Sequence, residues 1–253
     1  MSVYNTQAVV LSSKSFGEAD RILTLLTYER GKIRVIARGS RRPKNRLAAI
    51  VQPLSHIEAQ ILEGQQLDTL NQGQLINSFR FLREDLDKMS HALYLSELFE
   101  SATEGATELR DYFILLLTAL ELLQSFENLS LTRIFIEVKL ILLQGYAPSL
   151  SNCYQCNQPM QIPITTEWFF DAEDGGIRCE KCQHTQTAIA LNSATVSFWL
   201  SLIRQDSRWL IRQIPDEQVM QQMRKILNAS IQVAFGSLPK SATFLQTLKN
   251  LSE

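Results

Sequence analysis

Apolar and β-prone residues form three short runs near the amino end of the chain. They cover residues 6–11, 21–27 and 32–38, and a short polar link that ends in Gly31 joins the second run to the third. A link of this kind between two such runs is typical of a β-hairpin. The pattern therefore predicts three strands in the first forty residues.

Two further runs follow Pro53, at residues 55–62 and 67–70. Five short strands within about 75 residues, with Gly and Pro at the joints, favour a small closed barrel of the OB type. Periodicity alone does not separate this barrel from an SH3-like one. The rest of the chain is predicted to be helical, so the fold class is α+β.

From Phe79 onward the period changes to that of a helix. Apolar residues recur at steps of three and four, with charged residues between them. The predicted apolar stripe of this first helix consists of Phe79, Leu82, Leu86, Met89 and Leu93.

Five more helices are predicted from the same periodicity. They cover about 107–126, 131–144, 192–205, 215–235 and 240–250. In the first of these, the inward face is formed by Leu109, Phe113, Leu116, Leu120 and Leu123. In the second it is formed by Ile134, Phe135, Val138, Ile141 and Leu142.

Four cysteines interrupt the helical part, as two C-x-x-C knuckles separated by 22 residues: Cys153, Cys156, Cys179 and Cys182. A two-residue spacer lets both thiolates of a knuckle face one ion, and two knuckles complete the tetrahedral shell of structural Zn²⁺. A redox dithiol pair is the alternative, and neither knuckle opens a βαβ unit. His184 could replace a ligand, but four thiolates already fill the shell.

These segments predict three domains: an OB-type barrel at 1–78, an α-helical domain at 79–149 and 188–253, and a zinc ribbon inserted at 150–187. The amino end lacks the pattern of a secretory signal, so we expect a cytosolic protein. No sequence motif of a nucleotide cradle, a serine nucleophile or a catalytic zinc site is present, and we expect no enzyme.

Positive charge is concentrated in the predicted barrel. The first 50 residues hold ten Lys or Arg and three acids, a net charge of +7, and the remainder holds 15 Lys or Arg and 23 acids, a net charge of −8. Concentrated positive charge is typical of a site for a polyanion. The predicted nucleic-acid contacts are Arg30, Lys32, Arg34, Arg38, Arg41, Arg42, Lys44 and Arg46. A solvated basic loop is the alternative.

Side chains alternate along a strand, so Lys32, Arg34 and Arg38 should share the outer face of the third strand. This face continues into residues 41–46, and we expect phosphate contacts to run across the barrel and out along a flexible arm. Aromatic residues are sparse here, so base stacking should be secondary to phosphate contacts. The nearby aromatic residues are Tyr4, Phe16 and Tyr28.

Residues 17–42 closely resemble the N-terminal signature of the bacterial RecO family. Residues 77–86 and 94–99 are similar to that family's linker into its helical domain, and the two knuckles are similar to the zinc insert that many members carry. The resemblance covers nearly the whole chain and is densest in residues 1–80. Beyond residue 190 it is little more than helical periodicity.

The resemblance implies a non-catalytic recombination mediator. RecO-like proteins bind single- and double-stranded DNA and anneal complementary strands. They contact the acidic C-terminal tail of single-stranded-DNA-binding protein, and with RecR they help load RecA during DNA repair. A cytoplasmic, nucleoid-associated protein follows from this. The sequence does not locate the contact with the acidic tail. Its candidate bases are Arg133, Lys139, Arg204, Arg208 and Arg212, and for each of them an ordinary surface base is the alternative.

Two other functions are compatible with the residues. An RNA-binding protein with an OB barrel and a zinc ribbon would use the same basic strand. A metal-dependent nuclease would need an acid cluster such as Glu84, Asp85 and Asp87, but these lie on the polar side of the first predicted helix.

Overall fold

The computed structural model describes residues 2–104, 109–183 and 187–252. The chain forms two compact units, Met1–Leu129 with Pro239–Glu253, and Ser130–Leu238. These units are sets of densely packed residues and do not test which segments fold independently, so the predicted domain boundaries stay predictions. None of the described helices is both long enough and apolar enough to span a bilayer.

Five strands of the first unit close into a barrel. The order around it is β1-β2-β3-β5-β4, with β4 also pairing with β1. β3 and β5 are parallel, and the other neighbours are antiparallel. The strands are β1 (Val3–Phe16), β2 (Asp20–Thr27), β3 (Gly31–Ala37), β4 (His56–Leu62) and β5 (Asp68–Asn77). The α+β fold with an N-terminal OB-type barrel is confirmed.

The segment between β3 and β4 closes the interior of the barrel. Ile50 and Val51 lie there almost fully buried among the inward side chains of the strands. Gly73 of β5 makes room for this plug, because a Cβ atom at Gly73 would lie 2.5 Å from Cδ1 of Ile50. A residue without a side chain therefore fits opposite the plug, and any larger residue would make the Ile50 side chain shift.

β1 and β5 extend well beyond the predicted runs at 6–11 and 67–70. The extra residues are mostly polar and exposed, so they lack the apolar signal on which the prediction depended. Their partners are nonetheless in register, since β1 continues to pair with β2 as far as Phe16 and β5 with β4 as far as Asn77. Pairing with the neighbouring strand therefore extends β1 and β5 through residues whose own β-propensity is low.

Four helices complete the first unit: α1 (Arg80–Arg83), α2 (Leu86–Ala102), α3 (Arg110–Ser125) and α8 (Ser241–Ser252). The helix is interrupted between α1 and α2, at Asp85. The side chain of Asp85 accepts a hydrogen bond from the backbone N–H of Lys88 and caps the amino end of α2. The predicted single helix from Phe79 is therefore wrong, and Leu86 is 61% exposed. The buried side of α2 centres instead on Tyr94, Leu95, Leu98 and Phe99.

The predicted inward face of α3 is confirmed, because all five of its residues are buried. α2 and α3 both lie against the barrel. Ser96 of α2 donates its hydroxyl hydrogen to the carbonyl of Leu11 in β1, at 3.0 Å. Leu11 and Leu26, on the outer side of the strands, are consequently buried.

The second unit combines helices with a small sheet. Its helices are α4 (Leu129–Leu143), α5 (Ser193–Arg204), α6 (Ser207–Leu210) and α7 (Glu217–Phe235). The strands are β6 (Ser149–Cys153), β7 (Trp168–Asp171), β8 (Gly176–Cys179) and β9 (Ile189–Ala190), in the order β6-β8-β7-β9, and a 3-10 turn covers Glu180–Cys182. In α4 the predicted inward residues are buried, except Leu142, which is half-buried.

Candidate nucleic-acid interface and metal centre

Residues 38–46, which we call the basic loop, are held against the turn between β1 and β2. The Asp20 carboxylate accepts a hydrogen bond from the backbone N–H of Gly39 at 2.7 Å. The backbone N–H of Arg41 donates to the carbonyl of Ala19 at 2.9 Å, and Nη1 of Arg41 donates to the carbonyl of Gly17 at 3.1 Å. Three contacts therefore fix the start of the loop.

Asn45 closes the basic loop on itself. Its Nδ2 donates to the carbonyl of Gly39 at 2.8 Å, and its Oδ1 accepts from the backbone N–H of Leu47 at 2.7 Å. Gly39 has a positive φ of 64°, which suits a residue without a side chain at this reversal. Residues 38–46 thus form a hydrogen-bonded turn, whereas the sequence predicted a flexible arm.

The far end of the segment between β3 and β4 is fixed by Arg83 of α1. Its Nη2 donates to the carbonyl of Pro53 and to Oγ of Ser55, each at 2.9 Å. Burial lowers the pKa of this guanidinium, and the two oxygens compensate for part of the lost hydration. The segment that carries the basic loop is therefore tied down at both ends.

Seven of the eight predicted nucleic-acid contacts are exposed to solvent, and one of the seven, Arg30, forms an ion pair with Glu63. Within the described part of the chain, none of the other six forms an ion pair with an acid. They are Arg34 on β3 and Arg38, Arg41, Arg42, Lys44 and Arg46 of the basic loop. Uncompensated charge on a fixed loop leaves a strong positive potential for a polyanion.

The other two predicted contacts are engaged within the protein. Nη1 of Arg30 lies 2.6 Å from a carboxylate oxygen of Glu63, and its guanidinium stacks 3.7 Å from the ring centre of Tyr4. Nζ of Lys32 donates at 2.7 Å to the carbonyl of Glu100, near the carboxyl end of α2. α2 covers this end of β3, so the free cationic surface begins at Arg34.

Lys14 belongs to the same surface, although it is absent from the predicted set. In the strand register Lys14 pairs with Ile22 of β2, which pairs with Ile36 of β3. A bulge between Val10 and Ser12 shifts the alternation of β1 by one residue. Strict alternation from the buried Val10 would turn Lys14 into the barrel, so the bulge decides its exposure.

The four cysteines of the second unit converge on one point. Their sulfur atoms all lie within 4.8 Å of one another, and they form the one cluster of three or more metal-ligating side chains found in the described ranges. The backbone N–H of Cys179 points at Sγ of Cys153, at 3.5 Å. Four sulfur donors in this arrangement could hold a metal ion, and the set is compatible with zinc. His184 lies outside the described residues.

The thiols resist ionising together. Burial raises the pKa of Cys153, but hydrogen bonds from the backbone N–H groups of Cys156, Cys179 and Gln155 outweigh it and hold that pKa at about 6. Burial and hydrogen bonds with the other three thiols raise the pKa of Cys182 to about 12. The thiol of Cys153 therefore ionises readily, whereas the thiol of Cys182 keeps its proton. A bound divalent cation would stabilise the thiolate form of both.

Arg178 of β8 braces the two knuckles. Its guanidinium pairs with Asp174 in the turn before β8. Its Nη1 also donates to Oε1 of Gln155 in the first knuckle at 3.2 Å and to the carbonyl of Cys182 in the second at 3.4 Å. The β7–β8 hairpin thus positions the cysteines through both the sheet and this side chain.

Comparison with known proteins identifies the family. The model named "Recombination protein O N terminal" matches residues 1–79, and the model named "Recombination protein O C terminal" matches residues 83–241. The chain belongs to the RecO family. The two matches divide the chain close to the end of the barrel, so the order of parts agrees with the predicted resemblance.

Relatives of this RecO-family chain extend over most of its length. The protein named "DNA repair protein RecO" from Heliobacterium modesticaldum is 35% identical over 233 residues, which are 91% of this chain and 85% of the relative. The protein of the same name from Symbiobacterium thermophilum is 34% identical over 253 residues, which are 99% of each chain. A role in DNA repair and recombination follows from this membership.

Three of the five bases considered for an acidic peptide are already engaged. Arg133 pairs with the buried Glu137 at 3.4 Å, and Arg208 pairs with Asp206 at 2.8 Å. Nζ of Lys139 donates to the carbonyl of Ile203 at 2.9 Å, and burial lowers its pKa. The exposed Arg204 and Arg212 form no ion pair with a described residue.

Proposed function

We propose that this RecO-family chain is a non-catalytic DNA-binding recombination mediator. The observation that carries the proposal is the anchored basic loop, which presents cations without internal acidic partners beside a closed barrel. Membership of a family whose relatives are named for DNA repair supports DNA as the polyanion. The DNA contacts are Arg34, Arg38, Arg41, Arg42, Lys44 and Arg46, with Arg30 and Lys32 at the margin.

Binding is led by the sugar–phosphate chain. Lys and Arg side chains neutralise phosphates and release counterions, an effect that does not depend on sequence and acts on single- and double-stranded DNA alike. Neutralising the phosphates of two strands also weakens their mutual repulsion. The protein therefore promotes annealing of complementary strands, since phosphate contacts leave the base edges free to pair.

The partners follow from the family. With RecR, the protein helps load RecA on DNA coated with single-stranded-DNA-binding protein, whose acidic C-terminal tail it contacts. Arg204 and Arg212 are the candidate cations for the tail that keep their charge free. The site of action is the nucleoid in the bacterial cytoplasm.

The four cysteines hold a structural Zn²⁺ ion. A shell of four thiolates leaves no open position for water or substrate, so the ion supports the fold of the ribbon and takes no part in a reaction. Cys153, Cys156, Cys179 and Cys182 are the ligands.

A strand-annealing assay tests the function. Two complementary oligonucleotides, each coated with single-stranded-DNA-binding protein, are mixed with and without the chain, and duplex formation is followed by fluorescence quenching. Faster annealing is expected, and an unchanged rate contradicts the mediator role.

Competition with an RNA of the same sequence tests the alternative of an RNA-binding protein. An RNA that displaces the labelled DNA at a lower concentration than unlabelled DNA does would favour that alternative. Cleavage of labelled DNA in Mg²⁺ would show a nuclease.

A further inference from the structure

An exposed aromatic ring lies on the outer face of β1, β2 and β3, beside the basic loop. Leu23 and Leu25 of β2 point into the barrel core, so the residues between and beside them point outward. In register with the outward residues of β2, Lys14 pairs with Ile22, and Phe16 pairs with Asp20. The bulge in β1 therefore turns Phe16 outward together with Lys14.

Phe16 differs from the other two aromatic residues near this surface. The ring of Tyr4 is covered by the guanidinium of Arg30. The ring of Tyr28 packs edge-on against Phe113, at 5.6 Å between ring centres. Phe16 is 51% exposed, and no described aromatic ring or cation stacks against it. It is the ring in this group that is free to receive a ligand.

The surroundings of Phe16 carry charges of both signs. Its cross-strand neighbour Asp20 is acidic, and the carboxylate of Asp20 accepts a hydrogen bond from the backbone N–H of Gly39. The residue after Phe16, Gly17, accepts the hydrogen bond from Nη1 of Arg41 at 3.1 Å, so the ring and this guanidinium are held at the same turn. The exposed Lys14 lies two residues before the ring on the same face of β1, and the exposed Arg38 directly follows β3, whose Ala37 pairs with Arg21 next to Asp20. A polyanion bound by the start of the basic loop would therefore lie near the ring.

The floor between those cations is partly apolar. Ile22 and Ile36 are neighbours in the register and are half-buried on the outer face. Nearer to α2, the outer face of the strands is covered by that helix. Oγ1 of Thr24 donates to a carboxylate oxygen of Glu100 in α2 at 3.3 Å, and Thr24 is only 7% exposed. The open part of the face thus combines an aromatic ring, two aliphatic side chains, exposed cations and the carboxylate of Asp20, which is held by the backbone of the basic loop.

An exposed ring with cations nearby suits an unpaired nucleotide, whose base has a flat apolar face and whose phosphate is negative. A duplex offers its phosphates, but its base faces are already stacked on one another. A single exposed phenylalanine is ordinary on a protein surface, as Phe81 shows at 66% exposure on α1. Phe16 is distinguished by its place among the loop cations.

We propose that Phe16 stacks on an unpaired base of the DNA strand that the basic loop binds. This makes the surface selective for single-stranded over double-stranded DNA. The inference rests on the proposed function, because it assumes that the basic loop binds DNA, and it adds a contribution from the bases that the aromatic-poor sequence did not predict.

Three probes of equal length separate the base contribution from the phosphate contribution: a single-stranded oligothymidine, the same strand with abasic sites throughout, which keeps the same charge, and a duplex, which carries twice that charge and has no unpaired base. Phe16→Ala should weaken binding to oligothymidine by about 5- to 150-fold, the loss expected for one stacked base. Binding to the abasic strand and the duplex should change by less than about twofold, and the salt dependence should stay unchanged. Phe16→Trp should restore binding, and Phe81→Ala is the matched control.

Equal weakening on all three probes, or equal weakening by Phe16→Trp and Phe16→Ala, would show a structural effect and overturn the stacking role. An unchanged affinity of Phe16→Ala for oligothymidine would also overturn it. Failure of the proposed function looks different, since the wild-type chain would then bind none of the three probes in a salt-dependent way. Thermal melting of each variant checks that the exposed substitution leaves the fold intact.

Discussion

Removing three charges from the basic loop tests the phosphate contacts directly. The variant replaces Arg38, Arg41 and Arg42 with Ala, which takes away half of the six exposed cations that form no ion pair and are predicted to bind phosphate. The loop should keep its conformation, because the backbone hydrogen bonds from the N–H groups of Arg41 and Arg42 do not depend on the side chains. The substitutions do remove the hydrogen bond from the guanidinium of Arg41 to the carbonyl of Gly17.

The size of the effect follows from the number of phosphates released. Each phosphate neutralised on a single strand contributes about −0.7 to the slope of log K against log salt. Six phosphate contacts predict a slope of about −4 for the wild-type chain, and three predict about −2 for the variant. With equal affinities at about 1 M salt, where the counterion contribution to log K vanishes, a difference of about 2 in slope lowers log K of the variant by about 2 at about 0.1 M salt. Its affinity should therefore fall roughly 100-fold there and less as salt rises.

Fluorescence anisotropy of a labelled oligothymidine of about 30 nucleotides, titrated between about 50 and 500 mM salt, measures both quantities. A second triple variant, Arg212→Ala with Lys225→Ala and Lys240→Ala, removes the same charge from exposed positions elsewhere. It should leave the slope unchanged. If the two triple variants lower the slope equally, net charge and not the basic loop determines binding, and the reasoning fails.

Three further predictions concern the metal and the core. The chain should carry about one Zn²⁺ by elemental analysis, and Cys156→Ser with Cys179→Ser should abolish it while DNA affinity stays unchanged. Gly73→Val should destabilise the barrel by about 1–3 kcal/mol in urea unfolding, because the new side chain collides with Ile50. Arg83→Met should cost about 1–3 kcal/mol in the same assay, because two buried oxygens lose their charged donor.

Each of these predictions has its own control. A chain that loses DNA affinity together with zinc would show that the ribbon contributes to binding. Gln74→Val places the same β-branched side chain at the neighbouring position, on the exposed side of β5, and should change stability by less than about 0.5 kcal/mol. If it costs as much as Gly73→Val, crowding against the plug is not the cause. An Arg83→Lys variant as unstable as Arg83→Met would mean that the guanidinium geometry, and not the positive charge, matters.

Much of the fold could be predicted from the sequence because the relevant signals are local. Short apolar and β-prone runs located all five strands, and helical periodicity located α3, whose five predicted core residues are buried. The two C-x-x-C knuckles specified the cysteine cluster, since each spacer fixes two sulfurs on one side of the chain. The break between α1 and α2 was missed, although Asp85 is an ordinary helix cap, because the apolar stripe continued through it.

The sequence by itself determined the concentration of positive charge, the kinds of element and the four sulfur ligands, because composition and short spacings carry that information. Only the tertiary structure decided which cations stay free. Lys32 donates a hydrogen bond to the carbonyl of Glu100 in α2, and Arg30 forms an ion pair with Glu63. Hydrogen bonds with residues distant in sequence fix the basic loop. The outward turn of Phe16 depends on a one-residue bulge in the pairing of β1 with β2, a property of two strands together that neither run of residues encodes alone.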